Sequence, residues 1–173
     1  MTIVTQGREC VFGEIVDGEM RPNEYGKIVQ KWWNEIPIHF PTVELGMFVI
    51  MPNHVHGIIF MTTERRGEVI SPPYNPNNNI QDAYVDETFN LGGETPPLRK
   101  PTLGQIVAYF KYQSTKEMNR IETDKAITKF WQRNYYEHII RDEKDLQNKT
   151  DYINANPLLW DEDDDNPQNI QNE

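Results

Sequence analysis

Two short constellations of side chains could do chemistry together. His54-Val55-His56 places two of the four histidines two residues apart. On a β-strand that spacing projects both imidazoles to one side, with Cβ atoms roughly 7 Å apart, close enough to share one cation. Such a pair more often consists of hydrogen-bonded sheet histidines. Here, however, the strand is otherwise apolar on both faces, and buried imidazoles need partners that a metal supplies. Tyr152 and Asn156 stand four apart on a helical stretch and so share a face. A tyrosine becomes a nucleophile when its phenolate is stabilised or when a metal makes the target more electrophilic. An asparagine offers its carbonyl oxygen to a hard cation. Tyr with Asn at i+4 is commonplace, so this second pair gains meaning only beside the histidines.

A third stretch runs Phe130-Trp131-Gln132-Arg133-Asn134-Tyr135-Tyr136-Glu137-His138. Its aromatics, interleaved with Arg and Gln, could stack unpaired bases and hold phosphates, Trp131, Arg133 and Tyr135 foremost; Trp131, Tyr135 and Tyr136 are equally at home as sheet packing. Lys111, Lys116, Arg120, Lys125 and Lys129 could form a phosphate-tracking stripe, which a solvated helix face explains as well. There is no Walker loop, dinucleotide-binding glycine fingerprint, paired-Cys zinc motif or Gly-X-Ser-X-Gly. His39 lies in a Pro-flanked loop without an evident partner. Cys10 lies far in sequence from any activating base, which argues against a thiol nucleophile.

The elements that must position these groups can be read in order. Ile3-Val4-Thr5 is the stub of a strand, and Cys10 to Val16 is a β-prone run closed by the hairpin signal Asp17-Gly18. Asn23 caps a helix carrying Ile28, Val29, Trp32, Trp33 and Ile36 and ended by Pro37. Val43–Met51 and His54–Met61 form a hairpin about Pro52-Asn53, the second strand lying mid-sheet with both faces covered. Residues 63–101 lose all periodicity and read as a disordered insertion. Helical spacing returns at Leu103, Ile106, Val107, Phe110 and Met118. Phe130–Ile140 reads as a strand, and Asp142 caps a last helix that Pro157 ends after Asn156. The order β-α-β-β-α-β plus one helix predicts an α+β, ferredoxin-like antiparallel sheet with helices packed on it. We therefore expect one domain over 1–160 and an acidic disordered tail over 161–173.

The chain's 173 residues suffice for one real core. A single cysteine excludes an internal disulfide, no apolar run nears the ~20 residues that span a bilayer, and no signal peptide is evident. A soluble, cytoplasmic protein is expected. The net charge of −10 looks wrong for a nucleic-acid binder. Yet eleven acids sit in 67–97 and 157–173, which hold no Lys or Arg, and without them the balance is +1. Arg99 to Lys149 has eleven bases against seven acids. This distribution permits DNA binding without arguing for it.

Three ordered segments, Met51-Pro52-Asn53-His54-Val55-His56-Gly57-Ile58-Ile59, then Phe130 to Glu143, then Asp151-Tyr152-Ile153-Asn154-Ala155-Asn156-Pro157-Leu158, resemble the HUH single-tyrosine transposases, in particular the REP-associated branch. The resemblance covers about residues 2 to 160, broken by 63–101. It implies a ferredoxin-like fold and a metal-dependent endonuclease and strand transferase acting on single-stranded DNA with imperfect palindromes or hairpins. His54 and His56 match the metal-binding histidines, Asn156 the polar residue completing the Mg²⁺ or Mn²⁺ shell. Tyr152 matches the tyrosine that forms a 5′-phosphotyrosine link and frees a 3′-OH. It further implies a bacterial, nucleoid-associated protein, monomer or homodimer. A short first strand, the insertion and the acidic tail depart from the family pattern. The alternatives are a non-catalytic hairpin-DNA binder and a phosphoesterase whose metal activates water.

Overall fold

The computed structural model describes residues 1–62, 100–121 and 129–170. The expected insertion at 63–101 therefore lies almost wholly outside the described residues, as does Lys125. Among these residues five strands and five α-helices are formed: β1 Thr2–Val4, β2 Gly13–Val16, β3 Glu19–Pro22, α1 Glu24–Asn34, α2 Ile36–His39, β4 Val43–Ile50, β5 His54–Met61, α3 Leu103–Ile121, α4 Glu143–Ala155 and α5 Pro167–Ile170. A 3-10 helix, Asn156–Glu162, continues directly from α4.

The main sheet is antiparallel in the order β1-β5-β4. The stub at Ile3-Val4 is its working strand, pairing Thr2 with His56 and Val4 with His54. The stretch from Phe130 lies along the free edge of β1 and completes the ferredoxin-like order. It is not the regular strand over 130–140 that its composition suggests. Trp131 bridges Thr5 and Tyr136 bridges Thr2, so more residues lie between the bridges on the outer segment than on β1. The surplus bulges outward, and Lys111 Nζ fills the bulge, donating to the carbonyls of Gln132 at 2.8 Å and Asn134 at 2.9 Å. The β2–β3 hairpin forms a separate two-stranded sheet. Its turn residues Asp17 and Gly18 both have positive φ, the primed turn that matches strand twist.

Helices α1 and α3 cover one face of the sheet, α4 the other. Asn23 caps α1 by accepting from the Tyr25 and Gly26 amides, and α1 ends at Asn34, leaving Pro37 to open the short α2. The α1 and α3 layers meet β5 around Trp33, which stacks on Phe48 at 4.3 Å and meets Phe110 edge-on at 5.9 Å. Any side chain at Gly57 would enter the Trp33 ring, so β5 carries glycine there. Ile3, Val29, Ile36, Val55 and Ile106 complete this core. On the opposite face β5 alternation presents His54, His56, Ile58 and Phe60 toward α4. No helix among the described residues is long and apolar enough to cross a membrane.

The tail also departs from expectation. Residues 161–169 do not run out as a disordered extension. They turn back, Asn166 is buried, and Asp165 pairs with Arg8 at 3.4 Å. Composition concealed this, because Asp161–Asp165 reads as a solvated acidic run although Asp163 and Asn166 anchor inward.

Candidate metal centre and tyrosine

The two imidazoles converge. His54 Nε2 and His56 Nε2 are 3.0 Å apart, with 0% and 6% of the side-chain-bearing residues exposed. Their outward nitrogens are held separately. His54 Nδ1 meets Asn53 Oδ1 at 2.8 Å, and His56 Nδ1 meets Thr2 Oγ1 at 2.8 Å. Asn53 decides the tautomer. Its Nδ2 donates to the Arg8 and Asp165 carbonyls, which only accept, so its oxygen must face His54. Nδ1 of His54 therefore carries the proton, and Nε2 presents a lone pair.

Thr2 is the adaptable partner, since a hydroxyl either donates or accepts. When it donates to His56 Nδ1, His56 Nε2–H donates to His54. When it accepts, both Nε2 lone pairs point at the same space. Two metal–nitrogen bonds of ~2.1 Å at a right angle span about 3.0 Å, so the pair already has the bite of a chelate.

A carboxylate completes the set. Asp163 Oδ2 lies 3.8 Å from His54 Nε2, and one donor atom from each of His54, His56 and Asp163 lies within 4.8 Å of the others. These three residues could hold a metal ion. The pair His54–Asp163 is not an ion pair, because burial pushes His54 down to about 2 and His56 down to about 4. Burial also raises the Asp163 carboxyl. Both imidazoles are thus neutral at physiological pH, the form that ligates.

Tyr152 lies on the open side of this group. Its ring meets His56 edge-on at 5.4 Å, and about half of the residue remains exposed. Asp142 caps α4 by accepting from the Asp145 amide, and the helix carries Tyr152 over the histidine face. Asn156 is buried one turn on, where its Nδ2 donates to the Tyr152 carbonyl at 3.3 Å. Trp160, in the 3-10 helix that follows, closes over His54 at 6.1 Å.

The nucleic-acid candidates divide. Trp131 is corrected: it is buried against Phe12 and Phe110, and its Nε1–H donates to Ser114 Oγ, so no base can stack on it. Lys111 is half-buried, its ammonium spent on the bulge carbonyls and pushed down to about 8 by desolvation. Tyr135 is half-buried against the core. Lys116, Arg120 and Arg133 are exposed, the first two on α3, across the sheet from Tyr152. Sequence reasoning passed over Thr2, Asn53 and Asp163, and named Tyr136 only among the aromatics of its stretch. Asn53 could have been noticed as the amide immediately before the first histidine.

A protein of Haemophilus influenzae with no assigned function is 36% identical over 163 residues, covering 94% of this chain and 81% of that one. The chain belongs to that protein's family. A second Haemophilus influenzae protein, named "Putative REP-associated tyrosine transposase", is 39% identical over 59 residues, which is 30% of this chain and 34% of its own length. No family model and no solved structure matches the chain.

Proposed function

We propose that this family member is a metal-dependent endonuclease and strand transferase on single-stranded DNA that uses Tyr152 as its nucleophile. The observation that carries the reading is the half-exposed Tyr152 ring packed against His56, on the face where two neutral imidazoles and Asp163 converge. The short stretch of similarity to a named tyrosine transposase supports it.

His54, His56 and Asp163 would hold a divalent cation, with Asn156 as a further candidate donor. Two nitrogens and an oxygen favour a borderline ion such as Mn²⁺ over Mg²⁺, which prefers oxygen. When bound, the ion supplies charge that polarises a phosphate for in-line attack. Asn53 and Thr2 fix the imidazole orientations. In the proposed step Tyr152 gives its phenol proton to solvent, its oxygen bonds to phosphorus, and the bond from phosphorus to the 3′-oxygen breaks. The freed 3′-oxygen takes a proton. Reversal with another 3′-OH rejoins the strand, and the phosphotyrosine keeps the bond energy, so no nucleotide triphosphate is needed. A palindromic hairpin is the proposed DNA partner.

Incubating the protein with a hairpin-bearing oligonucleotide and Mn²⁺ should give a denaturant-stable protein–DNA adduct, absent with Tyr152→Phe. Turnover without adduct that survives Tyr152→Phe would instead indicate a phosphoesterase that activates water. Binding without cleavage would indicate a DNA-binding relative.

A further inference from the structure

Beside the candidate metal ligands a cavity of about 700 Å³ lies on the α4 face of the sheet, with His56 and Tyr152 in its lining. Ile58 and Phe60 of β5 and the segment from Tyr136 to Ile140 line it. Ten large apolar side chains are exposed among the described residues, and five of them, Phe60, Met61, Tyr136, Ile139 and Tyr152, line this one cavity. Tyr136 and Ile139 are 68% and 73% exposed. Apolar surface gathered in one concavity beside reacting groups marks a ligand site. Lys149 on α4, with Glu137 and His138 opposite, gives the apolar chamber charged and hydrogen-bonding edges.

We infer that this cavity is a nucleobase subsite, holding the unpaired base of a nucleotide directly flanking the phosphate that Tyr152 attacks. The inference rests on the proposed tyrosine nuclease reading. An unpaired base has two apolar faces and a polar edge, which matches a chamber flanked by Tyr136 and Tyr152 and rimmed by Lys149, Glu137 and His138. The volume falls within the roughly 300–1,000 Å³ of small-ligand pockets, enough for a nucleoside. A base lodged here would hold its own phosphate near His56, so stacking would serve positioning as well as affinity. Lys149 is placed for the next phosphate along the backbone. The aromatic of the 130–140 stretch that meets DNA is then Tyr136, because Trp131 is committed to the core.

The test uses the full chain, a hairpin oligonucleotide and Mn²⁺, with an abasic residue placed in turn at each position around the cut. One directly flanking abasic position should lower kcat/KM roughly 10- to 100-fold. Tyr136→Ala or Ile139→Ala should cause a similar loss on intact DNA, and combining either with that abasic residue should add little. Ile38→Ala, exposed and apolar but outside the cavity, should change nothing. Equal small losses at every abasic position, or fully additive losses, would overturn the subsite while leaving the tyrosine reading intact. A second arm needs no cleavage. Tyr152→Phe protein should quench 2-aminopurine at that flanking position, and Tyr136→Ala should abolish the quenching without abolishing binding. Binding without quenching would overturn the subsite. So would a dimer that Ile139→Glu converts to monomer, since the apolar rim would then face a second copy. No DNA binding of any kind would remove both readings together.

Discussion

Asn53→Ala is the substitution whose two consequences separate most cleanly. The wild-type side chain is fully buried and makes three bonds: to the Arg8 carbonyl at 3.0 Å, to the Asp165 carbonyl at 2.6 Å, and from His54 Nδ1 at 2.8 Å. Each bond contributes about 1 kcal/mol, and each buried partner left unpaired costs about 1–3 kcal/mol, so a loss of roughly 3–5 kcal/mol is expected. The second consequence concerns the metal. With Asn53 gone, nothing forces the proton onto His54 Nδ1, and the neutral ring can turn Nε2–H toward the ligand position. Loss of such an orienting partner costs about 10- to 100-fold in metal affinity. Asn53→Asp is the control. It keeps an acceptor for His54 Nδ1 but sets carboxylate oxygens against two carbonyls, so stability should fall while Mn²⁺ affinity holds. Urea denaturation measures the first quantity and calorimetric titration with Mn²⁺ the second. Equal affinity losses in both variants would refute the tautomer argument.

Three further outcomes are expected. His56 is held near 4 by burial while its unfolded value is 6.5, so the unfolded chain binds the extra proton first as pH falls. Stability is unaffected by this group above pH 6.5 and declines below it, by about 3 kcal/mol at pH 4, with His54 adding to the loss. A urea midpoint that stays flat from pH 6.5 to 4 would contradict this. Lys111→Met should lower stability by about 1–2 kcal/mol yet leave the salt dependence of DNA binding unchanged, because its ammonium already serves the bulge carbonyls; a slope shallower by one charge would show that it meets phosphate. Gly57→Ala should cost about 1–3 kcal/mol, since its methyl group would collide with Trp33, readable as a lowered Tm with altered indole fluorescence.

The helix caps at Asn23 and Asp142, the Asp17-Gly18 turn and the Pro52-Asn53 hairpin were legible because each is a local decision made by one or two side chains. So was the common face of His54 and His56, which follows from strand alternation alone. The 130–140 stretch misled because β-propensity reports a pleated, half-buried surface and carries no information about register. Trp131 and Tyr136 do bridge to β1, but only the unequal spacing of Thr5 and Thr2 opposite them creates the bulge that Lys111 must fill. Asp163 was illegible for a different reason. Its neighbours are acids and asparagines with no period, and what fixes it is the contact of remote residues, Arg8 with Asp165 and Asn53 with the Asp165 carbonyl. Interactions that join residues far apart in sequence leave little trace in either stretch.

The return of the C-terminal segment has a mechanical meaning. Asn53, Arg8 and Asp165 tie the hairpin, the first loop and the last turns of the chain to one point. A cation shared by His54, His56 and Asp163 would act there as a removable cross-link, closing a loop of more than a hundred residues without a covalent bond. Its stabilisation would come mostly from conformational freedom denied to the unfolded chain, as for a disulfide of the same span. Loading the ion would then be felt at both ends of the molecule, and a chelator would loosen the C-terminal segment before it disturbed the sheet.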